Sequence, residues 1–300
     1  MTVAAVLAMG IGLASCSTDG SGAADEGGSS ATATDGTTDV AKTALTAKVP
    51  AEYRKGMTVA VLSAQPPLSW VDDDGKLQGM EQAMVKALSK TLGVPITITA
   101  QTFTNSLAGV KASRYDFIPG TDVTTERLAV LDYVSMYRDG YTFVTSKNGE
   151  SVGKNKTALC GSSLAGQTGD NSISIVEGWS KECAAQGKKE ITIKTYPSYA
   201  DAELTLQSGR NGAMIISKSS LQELQKDSGD GIWVETGFEF GQVLDGWSFK
   251  KGSSLPPVIA EAMNILIDNG SYDKIMRTYM GQNTLIDKAE VNPQPLKQTN

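Results

Sequence analysis

The sequence predicts an α/β protein with two lobes, each a parallel-type sheet covered by helices. Three observations predict this fold class. From Met57 onward, short apolar strands alternate with segments of helical periodicity, the pattern of a parallel sheet with helices on its faces. After Cys160 the same alternation begins again without repeating the sequence. The chain has 300 residues, 40% of them hydrophobic, which is enough for two lobes or one large domain.

The first series of segments forms a βαβαβ pattern. One stripe of its first helix carries apolar residues at helical spacing, and this helix ends at Gly93. The stripe consists of Met80, Ala83, Met84, Ala87, Leu88 and Leu92. The predicted order is strand 57–62, helix 80–92, strand 96–100, helix 105–114 and strand 115–119.

The second series has the same style. Its predicted order is strand 162–167, helix 172–186, strand 190–196, helix 199–210 and strand 212–217. Residues 256–281 close the chain as two helices. Their apolar face, which is formed by Ile259, Met263, Leu266 and Ile267, is typical of a packed core and not of a cofactor site.

The charge and composition exclude several classes of function. The net charge of −6 argues against nucleic-acid binding, which usually needs a basic face. The chain has no histidine, which removes histidine-based catalytic triads and most catalytic zinc sites. We therefore expect no metal, no cofactor and no nucleic-acid partner.

The N-terminus predicts export. Residues 1–16 are apolar and end in small residues before Cys16; they are too short for a comfortable membrane span and are typical of a signal peptide. Leu13-Ala14-Ser15-Cys16 resembles the bacterial lipobox, in which the cysteine receives lipid, although no Lys or Arg precedes it. An ordinary signal peptide with a chance cysteine is the alternative. Residues 17–50 are rich in Ser, Thr, Gly, Ala and Asp, which predicts a disordered tether.

Two cysteines remain, Cys160 and Cys183. Export places them in an oxidising compartment, so a disulfide is expected and two free thiols are the alternative. In the chain-entropy model, a disulfide that closes a loop of this length contributes roughly 3 kcal/mol.

The stretch from Gly120 to Val134 (GTDVTTERLAVLDYV) points to a binding site. Thr124 is typical of a helix N-cap, which places Arg127 at the third helical position. A cation is unfavourable there, because the N-terminus of a helix already carries partial positive charge. Either Glu126 and Asp122 neutralise Arg127, or an anionic ligand lies beside it.

Four stretches of the sequence carry a family resemblance: PPLSWVDDDGKLQGMEQAMVKALSKTLG, GTDVTTERLAVLDYVSMY, SGRNGAMIIS and NGSYDKIMRTYMG. Together they resemble the family 3 extracellular solute-binding proteins, which serve ABC transporters of polar amino acids. The resemblance covers about residues 55–282, and the Cys160–Cys183 region resembles an actinobacterial lipoprotein branch with one disulfide. The resemblance implies a two-lobed type II periplasmic binding protein fold with two hinge strands, near 142–147 and 243–248. Lobe 1 would span 51–146 plus 246–300, and lobe 2 would span 147–245.

The resemblance also implies a set of ligand-binding residues in the cleft between the lobes. Arg127 would form a bidentate contact with the ligand's α-carboxylate, supported by free amides at the helix N-terminus. Phe103 would stack on the ligand and Trp70 would form another wall, although both could be ordinary core aromatics. The other positions in the site are Gly120 and Thr121 in the Ser/Thr-rich turn, and Asp170 and Asn171 in the lobe 2 turn beside Gly169.

Three positions depart from the family pattern. Gln65 replaces a stacking aromatic residue, Asp122 replaces a hydroxyl residue beside the carboxylate, and Ser217 replaces the acid that holds the ligand's ammonium group. Either the ligand lacks a free primary ammonium group, as a betaine or an organic acid does, or Asp122 or Asp170 has taken over this role.

The resulting functional hypothesis is a monomeric, lipid-anchored receptor on the extracellular face of the cytoplasmic membrane. It would capture a small zwitterionic or polar solute, such as an amino acid or a derivative, and deliver it to an ABC permease. Two alternatives stay open. One is a solute-sensing receptor subunit. The other is a cleft enzyme of the dehydratase type, with Asp122 and Asp170 as the candidate acid and base.

Overall fold

The computed structural model describes residues 34–35, 42–146, 152–227, 233–235 and 237–297. The helices are α1 (Met80–Leu92), α2 (Phe103–Lys111), α3 (Thr125–Leu128), α4 (Asn171–Ala185), α5 (Tyr199–Gln207), α6 (Lys218–Asp227), α7 (Pro256–Asp268) and α8 (Ser271–Tyr279). The strands are β1 (Thr34–Asp35), β2 (Met57–Leu62), β3 (Ala64–Gln65), β4 (Ser69–Val71), β5 (Leu77–Gln78), β6 (Ile96–Gln101), β7 (Phe117–Asp122), β8 (Leu131–Ser146), β9 (Ser163–Gln167), β10 (Thr192–Tyr196), β11 (Ala213–Ser217), β12 (Trp233–Glu235) and β13 (Phe240–Lys250).

Two long antiparallel strands, β8 and β13, join two groups of parallel strands. The order of strands in the main sheet is β1-β6-β2-β7-β13-β8-β11-β9-β10, and β12 pairs with β8. β2 is parallel to β6 and β7, and β9 is parallel to β10 and β11. The predicted hinge segments 142–147 and 243–248 overlap β8 and β13, but both strands extend well beyond the predicted segments.

Different parts of β8 and β13 contribute to different hydrophobic cores. Residues up to Tyr137 belong to the first core, those from Tyr141 to Val243 belong to the cores of the second lobe, and those from Leu244 onward return to the first. We therefore define lobe 1 as residues 42–137 and 244–297, and lobe 2 as residues 141–243. The sequence analysis predicted the first lobe boundary at residue 146, which is further along β8 than the change of core between Tyr137 and Tyr141. Apolar residues continue through the whole strand, so the sequence does not mark the point where the lobe changes.

The predicted regular elements are present, with shifts at their ends. α1 buries Met80, Met84, Leu88 and Leu92 and ends at Gly93, whose φ of 62° is left-handed and suits glycine. α2 begins earlier than predicted because the Thr102 side chain accepts a hydrogen bond from the amide of Asn105 and so caps the helix. Sequence reasoning missed α6, whose residues are mostly polar, and the small sheet of β3, β4 and β5.

The end of the predicted tether is packed against lobe 1, so the folded part begins before residue 51. Leu45 and Val49 are buried in the first core. The hydroxyl groups of Thr43 and Thr46 donate to the carbonyl oxygens of Thr91 and Leu92 at 2.7 Å and 2.8 Å. The tether prediction missed this contact because two apolar residues are inconspicuous among Ala, Thr and Lys. The predicted signal peptide 1–16, with Cys16, and most of the predicted tether lie outside the described residues.

Lobe 2 contains the expected disulfide. Cys160 and Cys183 are bonded, with Cα atoms 5.7 Å apart, and join the turn before β9 to the last part of α4. Cys183 is buried in the lobe 2 core. In the part of the chain that the structure describes, the helices are all too short or too polar to cross a membrane.

Candidate functional site

A small cavity lies between the two lobes, at the place where β7, β8 and β13 approach the start of α4. Side chains from both lobes nearly fill it, and its volume is about 30 Å³. Domain interfaces of this kind are common sites for small ligands. The polar and charged lining residues are Gln65, Asp122, Arg127, Asp139, Gln167, Asp170, Asn171 and Ser217, together with Asp245. The others are Leu68, Phe103, Gly120, Tyr137, Gly140, Tyr141, Tyr199 and Val243.

Arg127 is the cationic residue of the lining, and its guanidinium group contacts both lobes. Nη1 donates to the carbonyl oxygen of Asp122 at 3.3 Å, and Nη2 donates to that of Gly169 at 2.9 Å. The guanidinium carbon lies 5.6 Å from the centre of the Phe103 ring. The hydrogen-bond acceptors are uncharged backbone oxygens, which the carboxylate of a ligand could replace, while the carboxyl groups of Asp122 and Asp170 lie near enough to raise the pKa of Arg127.

Asp132, an acid in the same stretch of sequence, is not the partner of Arg127. It pairs with Lys251 at 3.0 Å. Thr124 caps α3 as predicted, accepting a hydrogen bond from the Arg127 amide at 3.1 Å. This cap uses one of the amides that the sequence analysis assigned to the ligand, and α3 is only four residues long. We therefore assign the anion-binding capacity to the guanidinium group and not to the helix terminus.

Four aspartates line the cavity. The carboxylate of Asp122 accepts a hydrogen bond from the Tyr141 hydroxyl. Asp170 caps α4 by accepting from the Ser172 amide at 2.9 Å, and it also accepts from the Tyr199 hydroxyl at 2.8 Å. Asp139 accepts from the Gly140 amide at 2.8 Å and from the Ser219 hydroxyl at 2.5 Å. Asp245 lies opposite Asp122 in the β7–β13 pairing.

Burial raises the pKa of three of these acids, Asp122, Asp139 and Asp245. It raises the pKa of Asp139 to about 6, against the opposing effect of the Ser219 hydrogen bond. It also raises the pKa of Asp245 well above its usual range, and the negative charge of Asp122 raises it further. The pKa of Asp122 is raised by burial as well, although the nearby Arg127 guanidinium lowers it. The acids of the cleft therefore carry fewer charges at neutral pH than their number suggests.

The cavity also contains apolar surface and an unpaired acceptor. Phe103 is 8% exposed and lies against the lobe 2 turn, where a Cβ at Gly169 would come within 3.5 Å of its ring. Leu68 and Val243 complete the apolar part of the lining. The side-chain oxygen of Gln167 is buried and has no hydrogen-bond partner among the described residues. It is available to a donor group of a ligand.

Two predicted site residues lie elsewhere. Trp70 is paired with Ala64 on the small sheet and does not line the cavity, so the prediction that it forms a wall is not supported. Thr121 is fully buried, and its hydroxyl donates to the carbonyl oxygen of Gly246 at 3.3 Å. Its hydroxyl is used within the β7–β13 pairing and not at the cavity.

Ser217 lines the cavity but serves first as a structural residue. Its hydroxyl accepts a hydrogen bond from the Ser220 amide at 3.3 Å, at the start of α6. Its own amide donates to the Tyr199 hydroxyl at 3.3 Å. Gln65, Gly120 and Asn171 line the cavity, as the sequence analysis expected.

Sequence reasoning missed much of the polar lining: Tyr137, Asp139, Tyr141, Gln167, Tyr199 and Asp245. A signal for Asp245 was available, because an acid inside the apolar run Val243–Phe249 needs a reason to be buried. The tyrosines gave no comparable signal, since tyrosine is common in the cores of sheets.

Comparison with known proteins agrees with this architecture. The family model for bacterial extracellular solute-binding proteins, family 3, matches residues 57–282. This chain belongs to that family. The match includes strands β2 to β13, the cavity lining and the disulfide.

Two relatives are named for the amino acids that they bind. The arginine-binding protein ArgT of Corynebacterium glutamicum is 29% identical over 233 residues, covering 77% of this chain and 76% of the relative. The L-cystine-binding protein TcyJ of Escherichia coli is 24% identical over 231 residues, covering 76% of this chain and 84% of the relative.

Solved structures share the type II periplasmic binding protein fold. An ancestral arginine-binding protein bound to glutamine superposes with a TM-score of 0.68 at 25% identity, covering 76% of this chain and 98% of that chain. A histidine kinase sensor domain superposes with a TM-score of 0.68 at 16% identity, covering 77% of this chain and 97% of that chain. At this identity, the similarity to the sensor domain shows a shared fold and nothing about function.

Proposed function

We propose that this protein binds an amino acid with a cationic side chain between its lobes and delivers it to an ABC permease. One observation carries the proposal: four aspartates, Asp122, Asp139, Asp170 and Asp245, line the cavity together with a single cationic residue, Arg127. An arginine-binding relative supports the same class of ligand.

The charges of the cavity select against anionic ligands. Burying a cation without an anion costs several kcal/mol, and the cavity aspartates remove this cost for an ammonium or guanidinium group. A second carboxylate on the ligand would meet the same aspartates and be repelled. The free oxygen of Gln167 adds an acceptor for N–H donors of the ligand.

Arg127 is the partner for the carboxylate of the ligand. Its two hydrogen bonds go to the carbonyl oxygens of Asp122 and Gly169, and a carboxylate would replace them with charge-assisted bonds. The Phe103 ring packs beside this guanidinium group and is placed to contact the apolar stem of a bound amino acid. This arrangement supports the hypothesis that aspartates have taken over the ammonium-binding role which Ser217 cannot fulfil.

Attachment to the membrane through lipid on Cys16 is part of the same proposal. The lipobox-like residues Leu13–Cys16 and the polar segment that follows them support it. A receptor tethered in this way stays near its permease, because a flexible chain of about 30 residues has a root-mean-square reach of roughly 30 Å.

A matched pair of ligands tests the proposal. L-citrulline has the shape of L-arginine but a neutral side chain, so L-arginine should bind more tightly in a calorimetric titration. L-glutamine should bind more weakly than L-arginine, and L-glutamate and glycine betaine should bind least. At 100 times its Kd, a ligand stabilises the protein by roughly 2.7 kcal/mol, which a thermal-shift assay detects.

Equal affinity for L-arginine and L-citrulline would contradict the choice of a cationic ligand. Preferential binding of glycine betaine or of a dicarboxylate would favour the alternative in which the ligand lacks a primary ammonium group. Mass spectrometry of the ligand after incubation separates a binding protein from an enzyme, since a binding protein returns its ligand unchanged.

A further inference from the structure

Asp122 and Asp245 form a buried carboxyl pair across two strands. They are Cα partners in the β7–β13 pairing, and they are 8% and 3% exposed. Residues directly opposite each other in an antiparallel pair project to the same face, so the two carboxyl groups are neighbours. Burial and the negative charge of Asp122 raise the pKa of Asp245 well above its usual range, so the pair holds a proton. Like charges placed directly opposite each other in a sheet would otherwise be destabilising.

The groups that face the pair decide which carboxyl keeps the proton. Asp122 accepts from the Tyr141 hydroxyl and lies near the Arg127 guanidinium group, and both contacts favour its charged form. Asp245 has fewer such contacts, and the neighbouring charges of Asp122 and Asp139 favour its neutral form. The proton therefore resides mainly on Asp245, in line with the raised pKa of that group.

The remaining titratable groups around the pair are acids and phenols from four elements. Asp170 at the start of α4 and Asp139 on β8 add negative charge, and Glu81 of α1 lies next to Gly120. The phenols are Tyr133, Tyr137 and Tyr141 on β8 and Tyr199 on α5, and burial raises the pKa of each. Among the residues that line the described cavity, Arg127 is the one that carries a positive charge to offset the acids.

We propose that the Asp122–Asp245 pair is the binding site for the cationic group of the ligand, which replaces the shared proton and releases it to solvent. This inference rests on the proposed function, because it needs a cationic ligand. Both side chains line the cavity, and Arg127 donates to the backbone oxygen of Asp122, so the carboxylate and cation sites adjoin. An ammonium or guanidinium group can donate to both carboxylates and supplies the positive charge that the proton supplied before.

Calorimetry measures the exchange directly. L-Arginine is titrated into the full protein at pH 7 in phosphate and in Tris, whose ionisation enthalpies differ, and the difference in heat counts the protons released. We expect close to one proton per ligand. The affinity should rise with pH by up to about tenfold per unit for as long as the free pair holds its proton.

Asp245→Asn separates the exchange from binding itself, because asparagine imitates the protonated acid and has no proton to release. The variant should bind L-arginine at least tenfold more weakly, release no proton from this site and lose most of the pH dependence. Asp116→Asn is the control, since Asp116 has a pKa raised by burial but bonds the Thr58 amide outside the cavity. It should keep the wild-type proton count.

The outcomes distinguish the two proposals. Binding of L-arginine without proton release, or with equal release from Asp245→Asn, would overturn the exchange and leave the proposed function standing. If L-arginine, L-citrulline and L-glutamine all fail to bind, the proposed function fails and the exchange fails with it. The infrared difference spectrum of the free wild type minus free Asp245→Asn at pH 7 adds an independent criterion, because the band of protonated Glu81 is common to both proteins and cancels. A protonated carboxyl band in this difference supports the proposal, and its absence overturns it.

Discussion

Arg127 of lobe 1 donates a hydrogen bond to the carbonyl oxygen of Gly169 in lobe 2, at 2.9 Å. Gly169 adopts a left-handed φ of 84°, which suits glycine, and the Phe103 ring lies against the same turn. The guanidinium group that we assign to the carboxylate of the ligand therefore also holds the two lobes together. Ligand capture and lobe contact depend on the same side chain.

Arg127→Ala should weaken binding of the cognate amino acid by roughly 2–5 kcal/mol, part of which comes from leaving the ligand carboxylate unpaired. A calorimetric titration measures the effect. Arg210→Ala is the matched control, because Arg210 is exposed, lies outside the cavity lining and donates from its side chain to the nearby Ser208 hydroxyl at 2.9 Å. Unchanged affinity in Arg127→Ala would show that the carboxylate binds elsewhere in the cavity.

Most of the regular fold could be predicted from the sequence, because periodicity and helix-capping residues are local signals. The stripe of α1 and the glycine that ends it are of this kind. The long strands β8 and β13 could be predicted only in part. Their residues pack against lobe 1 at one end and lobe 2 at the other, and both ends are equally apolar. The packing of Leu45 and Val49 against lobe 1 is a long-range contact that a polar composition conceals.

The candidate site could be predicted only where a motif carried it. The resemblance placed Arg127, Asp122 and Asp170 near one another, and the structure brings all three to one cavity. Asp245 reaches the cavity through strand pairing across more than one hundred residues of sequence, and no local pattern encodes that register. Trp70 does not line the cavity, although the resemblance suggested it as a wall, because the small sheet pairs it with Ala64.

Cys16→Ala should release the protein from membranes into the soluble fraction, because the lipid attachment would be lost. Fractionation of cells followed by immunoblotting measures the distribution. Ser15→Gly is a suitable control, since it changes the same segment and keeps both a small residue and the cysteine. A Cys16→Ala protein that still sediments with membranes would show that another segment attaches it.

Loss of the disulfide should lower stability without changing the ligand site. The double variant Cys160→Ala/Cys183→Ala should lose about 2–5 kcal/mol in its free energy of unfolding, measured with denaturant. Neither cysteine lines the cavity, so the affinity for ligand should remain within error of the wild type. A large loss of affinity at temperatures where the variant is folded would show that the disulfide positions the Asp170 turn.

Glu81 should make the protein less stable as the pH rises from acidic to mildly basic values. It is fully buried at the start of α1, it accepts a hydrogen bond from the Leu62 amide at 3.2 Å, and its Oε1 has no partner among the described residues. Burial raises its pKa from 4.5 to about 8. Between these two values the folded protein holds a proton that the unfolded chain has released, so stability falls as pH rises, by up to about 1.4 kcal/mol per pH unit.

Glu81→Gln replaces the acid with a neutral side chain of the same shape, so this contribution to the slope should disappear. Relative to the wild type, the variant should gain up to about 4 kcal/mol in its free energy of unfolding between pH 5 and pH 8. Urea denaturation at several pH values measures the difference, and the exposed Glu177→Gln on α4 is the control, whose difference from wild type should stay constant. A Glu81→Gln difference that is equally constant would mean that Glu81 is ionised in the folded protein and has a compensating partner.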